Sequence, residues 1–252
     1  MTRKTWRSVA CSVMMGLGLA TPLHGQMPGM PHVGGGDMGM AWGRALFILL
    51  DQLEYAPGSP QRTVNVDARA WYGGAYRRVW LRTQGEAATT TREGEAEVDL
   101  LFGKLVDPFW DAVIGVHVDQ RWGDESKRRA QLALGFVGLA PYRFELEPTV
   151  FVSQDGDLSG RIEVGFPLLL TQRLIAEPEA ELNVALQAVP DYRVRRGLND
   201  YEYGLRLRYE FRREFGPYIG WSRSRRTDVA AGGGLFPTPS ESQLVLGARI
   251  WR

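Results

Sequence analysis

The sequence predicts an all-β fold, an antiparallel up-and-down transmembrane β-barrel of about 12 strands with a disordered N-terminal arm. Three observations lead to this prediction. Apolar and polar residues alternate from residue 64 to the end of the chain, and the connections between the alternating segments are by turns long and short. All seven methionines, in contrast, lie within the first 40 residues.

Residues 1–25 are predicted to be a signal peptide. Arg3, Lys4 and Arg7 precede an apolar run at 9–20, which has the length of a secretory h-region. A membrane-spanning helix would need about 20 apolar residues and this run is shorter, so a membrane span is the weaker interpretation. Cleavage after Ala20 and cleavage near Gly25 both fit the pattern.

The composition beyond residue 25 excludes several classes of site and partner. The only cysteine, Cys11, lies in the apolar run, so thiolate metal sites, disulfides and cysteine nucleophiles are excluded from the remaining chain. Removing the three basic residues of the signal from the 30 in the chain leaves 27 basic against 29 acidic side chains. A chain without basic excess is not expected to bind nucleic acid.

Residues 26–43 form a predicted Met/His/Gly-rich arm. Its candidate metal ligands are Met27, Met30, His32, Met38 and Met40. Thioethers are soft donors that favour Cu(I), and imidazole suits copper in either oxidation state. The glycines around them give a flexible segment, in which the ligands can converge on an ion. The alternative, a linker in which methionines cluster without binding metal, remains open.

Residues 44–252 carry the predicted strands. In 200–211, for example, Tyr203, Leu205 and Leu207 fall on one face, and Glu202 and Arg206 fall on the other. We expect about twelve such segments, each near the roughly 9 to 11 residues that a tilted spanning strand needs. Their approximate centres are 49, 67, 81, 99, 115, 132, 147, 164, 178, 206, 219 and 247. The first segment, 44–54, alternates poorly.

The connection lengths predict the orientation of the barrel. The longer connection comes first in each successive pair, beginning with 56–62 and then the tight turn at Gly73 and Gly74. Outer-membrane barrels have short periplasmic turns and longer extracellular loops. An even strand number with both ends on the short-turn side follows, and this places the arm in the periplasm.

His117 is a further candidate metal ligand within the barrel. Its parity places it on the polar face with Asp111 and Asp119, and a histidine beside carboxylates is a borderline ligand for copper. The commoner role of such a histidine is that of one hydrogen-bonding member of a charged lumen.

The polar face as a whole is predicted to carry more acids than bases. The acids include Glu95, Glu97, Glu145, Glu147, Glu163, Glu177, Glu179 and Glu181, and the bases include Arg69, Arg78, Arg82, Arg206 and Arg208. Such a lumen could attract cations, or its ion pairs could plug the barrel, and the sequence leaves both alternatives open.

We do not expect an enzyme, since no serine follows the pattern of a histidine-activated nucleophile near His117.

Six stretches of the chain resemble the outer-membrane copper-resistance protein B family of Gram-negative bacteria. They are DQLE at 51–54, AWYGG at 70–74, VWLRTQGE at 79–86, GLAPYRFE at 138–145, LLLTQRL at 168–174 and GLRLRYEFRREFGPYI at 204–219. The resemblance covers essentially all of 44–252. It implies an outer-membrane barrel with a periplasmic Met- and His-rich region that acts in copper binding, homeostasis and resistance.

The combined prediction is a monomeric protein of the Gram-negative cell outer membrane, whose arm captures copper as Cu(I) or Cu(II) and whose barrel anchors the ion or passes it. Its predicted partners are outer-membrane lipid, copper ions and periplasmic copper-handling proteins. The alternative function is that of a small cation-preferring porin or structural barrel without a specific role in copper handling.

Overall fold

The computed structural model describes residues 44–58, 62–123, 126–192, 194–226 and 241–252, and these residues form thirteen strands. The strands are β1 Ala45–Ala56, β2 Thr63–Gly73, β3 Arg77–Ala88, β4 Gly94–Asp107, β5 Trp110–Trp122, β6 Lys127–Ala140, β7 Phe144–Ser153, β8 Leu158–Gly165, β9 Leu168–Leu169, β10 Leu174–Ala185, β11 Gly197–Tyr209, β12 Phe215–Arg226 and β13 Glu241–Trp251. Two short 3₁₀ helices, Pro141–Arg143 and Pro190–Tyr192, lie in connections. No helix among these residues is long and apolar enough to cross a bilayer.

The strands close into a barrel of twelve positions. Each strand pairs with its neighbours in an antiparallel ladder, and β1 pairs with β13. β8 and β9 pair with successive parts of the same edge of β10, so together they fill one position. Pro167 lies between them and has no N–H to donate, which is consistent with the break in the ladder. The prediction of an all-β barrel of about twelve strands is confirmed.

The outer surface of the barrel is apolar and its interior is polar. Leu100, Ile219 and Leu244 point outward and are 56%, 51% and 60% exposed. Glu54 and Ser222, which point inward, are each 2% exposed. This reverses the arrangement of a soluble sandwich and is typical of barrels whose outer face contacts lipid. A stripe of apolar side chains nevertheless crosses one interior wall, with one residue from each of β3 to β7: Trp80, Leu101, Val113, Ala133 and Phe151.

A glycine allows the largest member of this stripe to lie flat against the wall. A Cβ atom on Gly103 would come within 2.6 Å of Nε1 of Trp80, a separation at which one group must move. The indole therefore occupies the space that a side chain at position 103 would need.

A bulge in β1 explains the poor alternation of the first predicted segment. The register of β1 shifts at Asp51 relative to β2, between Leu50 and Gln52, and it also shifts relative to β13. Leu49 and Glu54 are consequently both buried, although their sequence parity differs. Because a bulge adds one residue to a strand, the inward face changes from odd to even positions along β1.

The connections differ in length between the two ends of the barrel. Six residues join β1 to β2 and three join β2 to β3, while eleven join β10 to β11 and five join β11 to β12. The connections that follow β7 and β9 have four residues each, so the predicted alternation is absent there. Ala45 lies opposite Gly73, and Trp251 lies opposite Leu49. Both ends of the barrel sequence therefore lie on the side of the shorter connections.

A charge on the outer face tests this assignment of faces. We expect Leu100→Arg, near the middle of β4, to lower the free energy of unfolding in lipid vesicles by about 2–4 kcal/mol, because a guanidinium at the bilayer midplane is costly. Val106→Arg, close to the end of the same strand, should cost at most about 1 kcal/mol. Equal losses in urea titrations of the two variants would contradict the placement.

Candidate functional site

Glu147 of β7 is held by two arginines from the other side of the lumen. One carboxylate oxygen lies 2.5 Å from Nη1 of Arg69 on β2, and the other lies 2.9 Å from Nη1 of Arg82 on β3. These strands are five and four positions away from β7 around the barrel. Arg82 also reaches Asp99 of β4 at 2.8 Å. The side chains therefore meet across the lumen, not along one wall.

The same chain of charges continues to the opposite wall through Asp51. Asp51 accepts from Arg69 at 3.3 Å and lies 2.9 Å from Nε of Arg249 on β13. Arg249 in turn lies 3.0 Å from Glu177 of β10, which also pairs with Arg208 of β11. We call this series of eight alternating charges the lumen network: Asp99, Arg82, Glu147, Arg69, Asp51, Arg249, Glu177 and Arg208.

His117 is attached to one end of the lumen network. Its Nδ1 lies 2.6 Å from Oδ1 of Asp99, and its ring lies 4.4 Å from the ring of Phe151. The residue is 3% exposed. It points inward, as its parity predicts, but Asp99 is its hydrogen-bond partner, whereas Asp111 pairs with Arg78 at 3.0 Å.

Two further arginines tie distant strands together. Arg206 of β11 lies 2.6 Å from Glu54 of β1 and 2.6 Å from Glu179 of β10. Arg161 of β8 lies 2.6 Å from Glu97 of β4. Each buried guanidinium thus has at least one carboxylate partner, which buried charges require because burial removes their hydration.

A cavity of about 590 Å³ adjoins these ion pairs. Within the described part of the chain, fourteen aspartates and glutamates, five arginines and His117 line it. Asp119 and Glu202 belong to this lining and form no ion pair with an arginine among the described residues. The walls therefore carry more negative than positive groups.

The connection between β10 and β11 lies over one side of this cavity. Lys127 donates to the carbonyl of Asp191 at 2.7 Å, and Arg121 donates to the carbonyl of Tyr192 at 3.3 Å. The guanidinium of Arg129 lies 4.9 Å from the centre of the Tyr192 ring. Because β5 and β6 supply all three cations, this connection packs against a hairpin three strand positions away.

The predicted metal ligands are not brought together by the structure. Met27, Met30, His32, Met38 and Met40 lie outside the described residues. Among the residues that are described, no three side chains of the His, Cys, Asp and Glu types come close enough to hold a metal ion. His117 is the one predicted ligand whose surroundings are defined, and its role as a ligand remains a prediction.

Residues 44–251 match the family model described as "Copper resistance protein B precursor (CopB)". The chain belongs to this family. The match extends from the residue before β1 to the last residue of β13, so it covers the whole barrel. The resemblance inferred from six short stretches is thereby confirmed.

Two curated relatives share the family and much of the sequence. Copper resistance protein B of Escherichia coli is 41% identical over 210 residues, which are 81% of this chain and 68% of that protein. A copper resistance protein B homolog of Pseudomonas syringae pv. tomato is 34% identical over 207 residues, 81% of this chain and 69% of that protein.

Solved structures with a related fold are more distant. A NanC porin superposes with a TM-score of 0.48 at 12% identity, over 82% of this chain and 99% of that one. OmpT, an outer membrane protein of Vibrio cholerae, superposes with a TM-score of 0.33 at 9% identity, over 83% of this chain and 97% of that one. These likenesses are too remote to carry an argument, so the fold rests on the strand pairing itself.

Sequence parity identified many lumen residues of this copper resistance protein B family member but did not pair them. Arg161 and Arg249 were not among the bases singled out, although both alternate inward like their neighbours. Asp51 and Glu54 were hidden by the bulge in β1. Which carboxylate each arginine binds depends on strand tilt and barrel closure, and a single sequence carries no signal for these.

Removing one charge from the lumen network tests its contribution to stability. We expect Glu147→Gln to lower the free energy of unfolding by about 3 kcal/mol, because Arg69 and Arg82 would lose a shared carboxylate in a buried position. Glu214→Gln, an exposed acid in the connection after β11, should change it by less than about 0.5 kcal/mol. Urea unfolding in vesicles measures both, and similar values for the two variants would show that the network contributes little.

Proposed function

We propose that this chain is an outer-membrane copper-resistance protein that captures copper through its N-terminal Met/His segment and uses the barrel as an anchor. The observation that carries the proposal is the position at which the chain enters the barrel. β1 begins at Ala45, on the side of the shorter connections. In outer-membrane barrels that side faces the periplasm, so residues 26–43 would start on the periplasmic side.

The family relationship and the chemistry of the segment support copper as the cargo. Both curated relatives carry copper resistance in their names. Met27, Met30, Met38 and Met40 supply thioethers that suit Cu(I), and His32 supplies an imidazole that suits Cu(I) and Cu(II). Copper bound here would be available to periplasmic copper-handling proteins.

The lumen network favours anchoring over conduction. Its ion pairs from Glu147 to Arg69 and Arg82, at 2.5 and 2.9 Å, connect strands five and four positions apart, so side chains occupy the middle of the lumen. An ion passing through would have to separate buried pairs, which is costly. The acid-rich cavity beside the network would attract cations to one side without a continuous path.

His117 fits a structural role in this proposal. Asp99 accepts its Nδ1 hydrogen and also binds Arg82, so the imidazole positions the end of the lumen network. In metal sites a carboxylate often orients a ligating histidine in the same way. Asp99 could therefore also orient His117 toward a bound ion. Copper binding by a His117→Gln variant separates the two roles: unchanged stoichiometry favours the structural one.

The first test concerns the arm. We expect full-length protein titrated with Cu(I) under reducing conditions to lose its bound copper when Met27, Met30, Met38 and Met40 are replaced by leucine, since leucine keeps the size but removes the sulfur donor. His32→Ala should retain Cu(I) binding at acid pH, where thioethers do not titrate and imidazole is protonated. Equal stoichiometry in the wild type and the leucine variant would reject the arm as the site.

The second test concerns the barrel. We expect the wild type to show no steady single-channel conductance in planar bilayers, because the lumen network fills the passage. Replacing Arg69, Arg82 and Glu147 together by alanine removes both signs of charge and should produce open channels. Glu214→Ala serves as a control with an intact lumen. Stable wild-type channels that pass several small solutes would instead support a general porin.

A further inference from the structure

The side of the barrel with the shorter connections carries a basic rim. Outside the lumen, the described residues on this side include eight basic and three acidic side chains. The basic ones are Arg44, Arg77, Lys104, Arg143, Arg173, Arg212, Arg213 and Arg252, and the acidic ones are Asp107, Glu210 and Glu214. The rim lies directly beyond the apolar outer surface.

Two members of the rim face each other across neighbouring strands. Arg77 of β3 is the direct register partner of Lys104 of β4, and both side chains are exposed on the outer face. Like charges that are directly opposite in a sheet destabilise it. Within the described part of the chain, neither side chain forms an ion pair with an acid. The pair therefore lacks the anion that would neutralise it.

The surroundings of the pair fit the head-group region of a bilayer. The next outward row of the same two strands is Val79 opposite Phe102, which are 45% and 47% exposed. Tyr72 and Tyr76, on the same side of the barrel, are 48% and 64% exposed. Tyrosine is enriched where apolar surface meets head groups, so a barrel placed in a bilayer would hold the two cations near the depth of lipid phosphates.

We propose that Arg77 and Lys104 form a binding site for the phosphate of an anionic phospholipid in the leaflet at the short-connection side. The guanidinium supplies planar donors and the ammonium supplies a compact charge, and both bind phosphate oxygens. The acyl chains would lie along Val79, Phe102 and the apolar rows beyond them. The site rests on the proposed placement of the barrel in a membrane.

The test uses the full-length chain and phosphatidylglycerol as the probe. Folding into neutral phosphatidylcholine vesicles comes first, and failure at this step would overturn the membrane placement itself. Native mass spectrometry of the folded protein then compares bound phosphatidylglycerol with phosphatidylcholine. We expect R77Q/K104Q to fold and to lose preference for phosphatidylglycerol by on the order of tenfold, because one phosphate would lose both the guanidinium donors and the ammonium that face it.

A matched variant separates a site from general attraction. R212Q/R213Q removes the same charge from the same rim, in the connection between β11 and β12. We expect its preference for phosphatidylglycerol to change by less than about twofold, because these arginines are consecutive in a connection and do not face each other across two strands. Equal losses in the two variants would overturn the site in favour of a diffuse basic rim. Displacement of the lipid by inorganic phosphate would overturn the lipid as the occupant.

Discussion

The structure depends on the requirement that charges inside a closed barrel find partners inside it. Glu147 cannot be neutralised by its own neighbours along β7, and it receives Arg69 and Arg82 from the far side of the lumen. Asp51 and Glu177 repeat the arrangement, each between two arginines. Three links of the network span three to five strand positions: Glu147 to Arg69, Glu147 to Arg82 and Glu177 to Arg249. The pairing therefore constrains the cross-section of the barrel as well as its charge.

The bulge in β1 shows how the backbone serves this requirement. Without the extra residue, β1 would keep one parity and could not bury both Leu49 and Glu54. The bulge lets Leu49 face the interior near the short-connection end. Farther from that end, Asp51 pairs with Arg249 and Glu54 pairs with Arg206. A local irregularity therefore joins an apolar layer to a charged one within a single strand.

The fold could be predicted from the sequence because period-2 alternation is a local signal. Residues 200–211 show it in full, and β11 covers most of that range. The break at Pro167 and the bulge at Asp51 escaped the prediction, since each depends on how neighbouring strands pair. His117 was placed correctly on the inner face, yet its bond to Asp99 was not foreseen, because both residues share a face with many other candidates. The prediction of the copper ligands rested only on the donor chemistry of methionine and histidine.

The bond between Arg206 and Glu54 has a consequence for how the barrel forms. Arg206 on β11 and Glu54 on β1 are 152 positions apart in the sequence. Around the barrel, β12, β13 and the seam at which β13 joins β1 lie between them. Arg249 and Asp51 span that seam directly. In a sheet that has not yet closed, Asp51, Arg249 and Arg206 would keep their pairs with Arg69, Glu177 and Glu179, but both ion pairs across the seam would be missing. Closing the seam therefore forms the last ion pairs and the last strand ladder together, and this favours cooperative barrel formation.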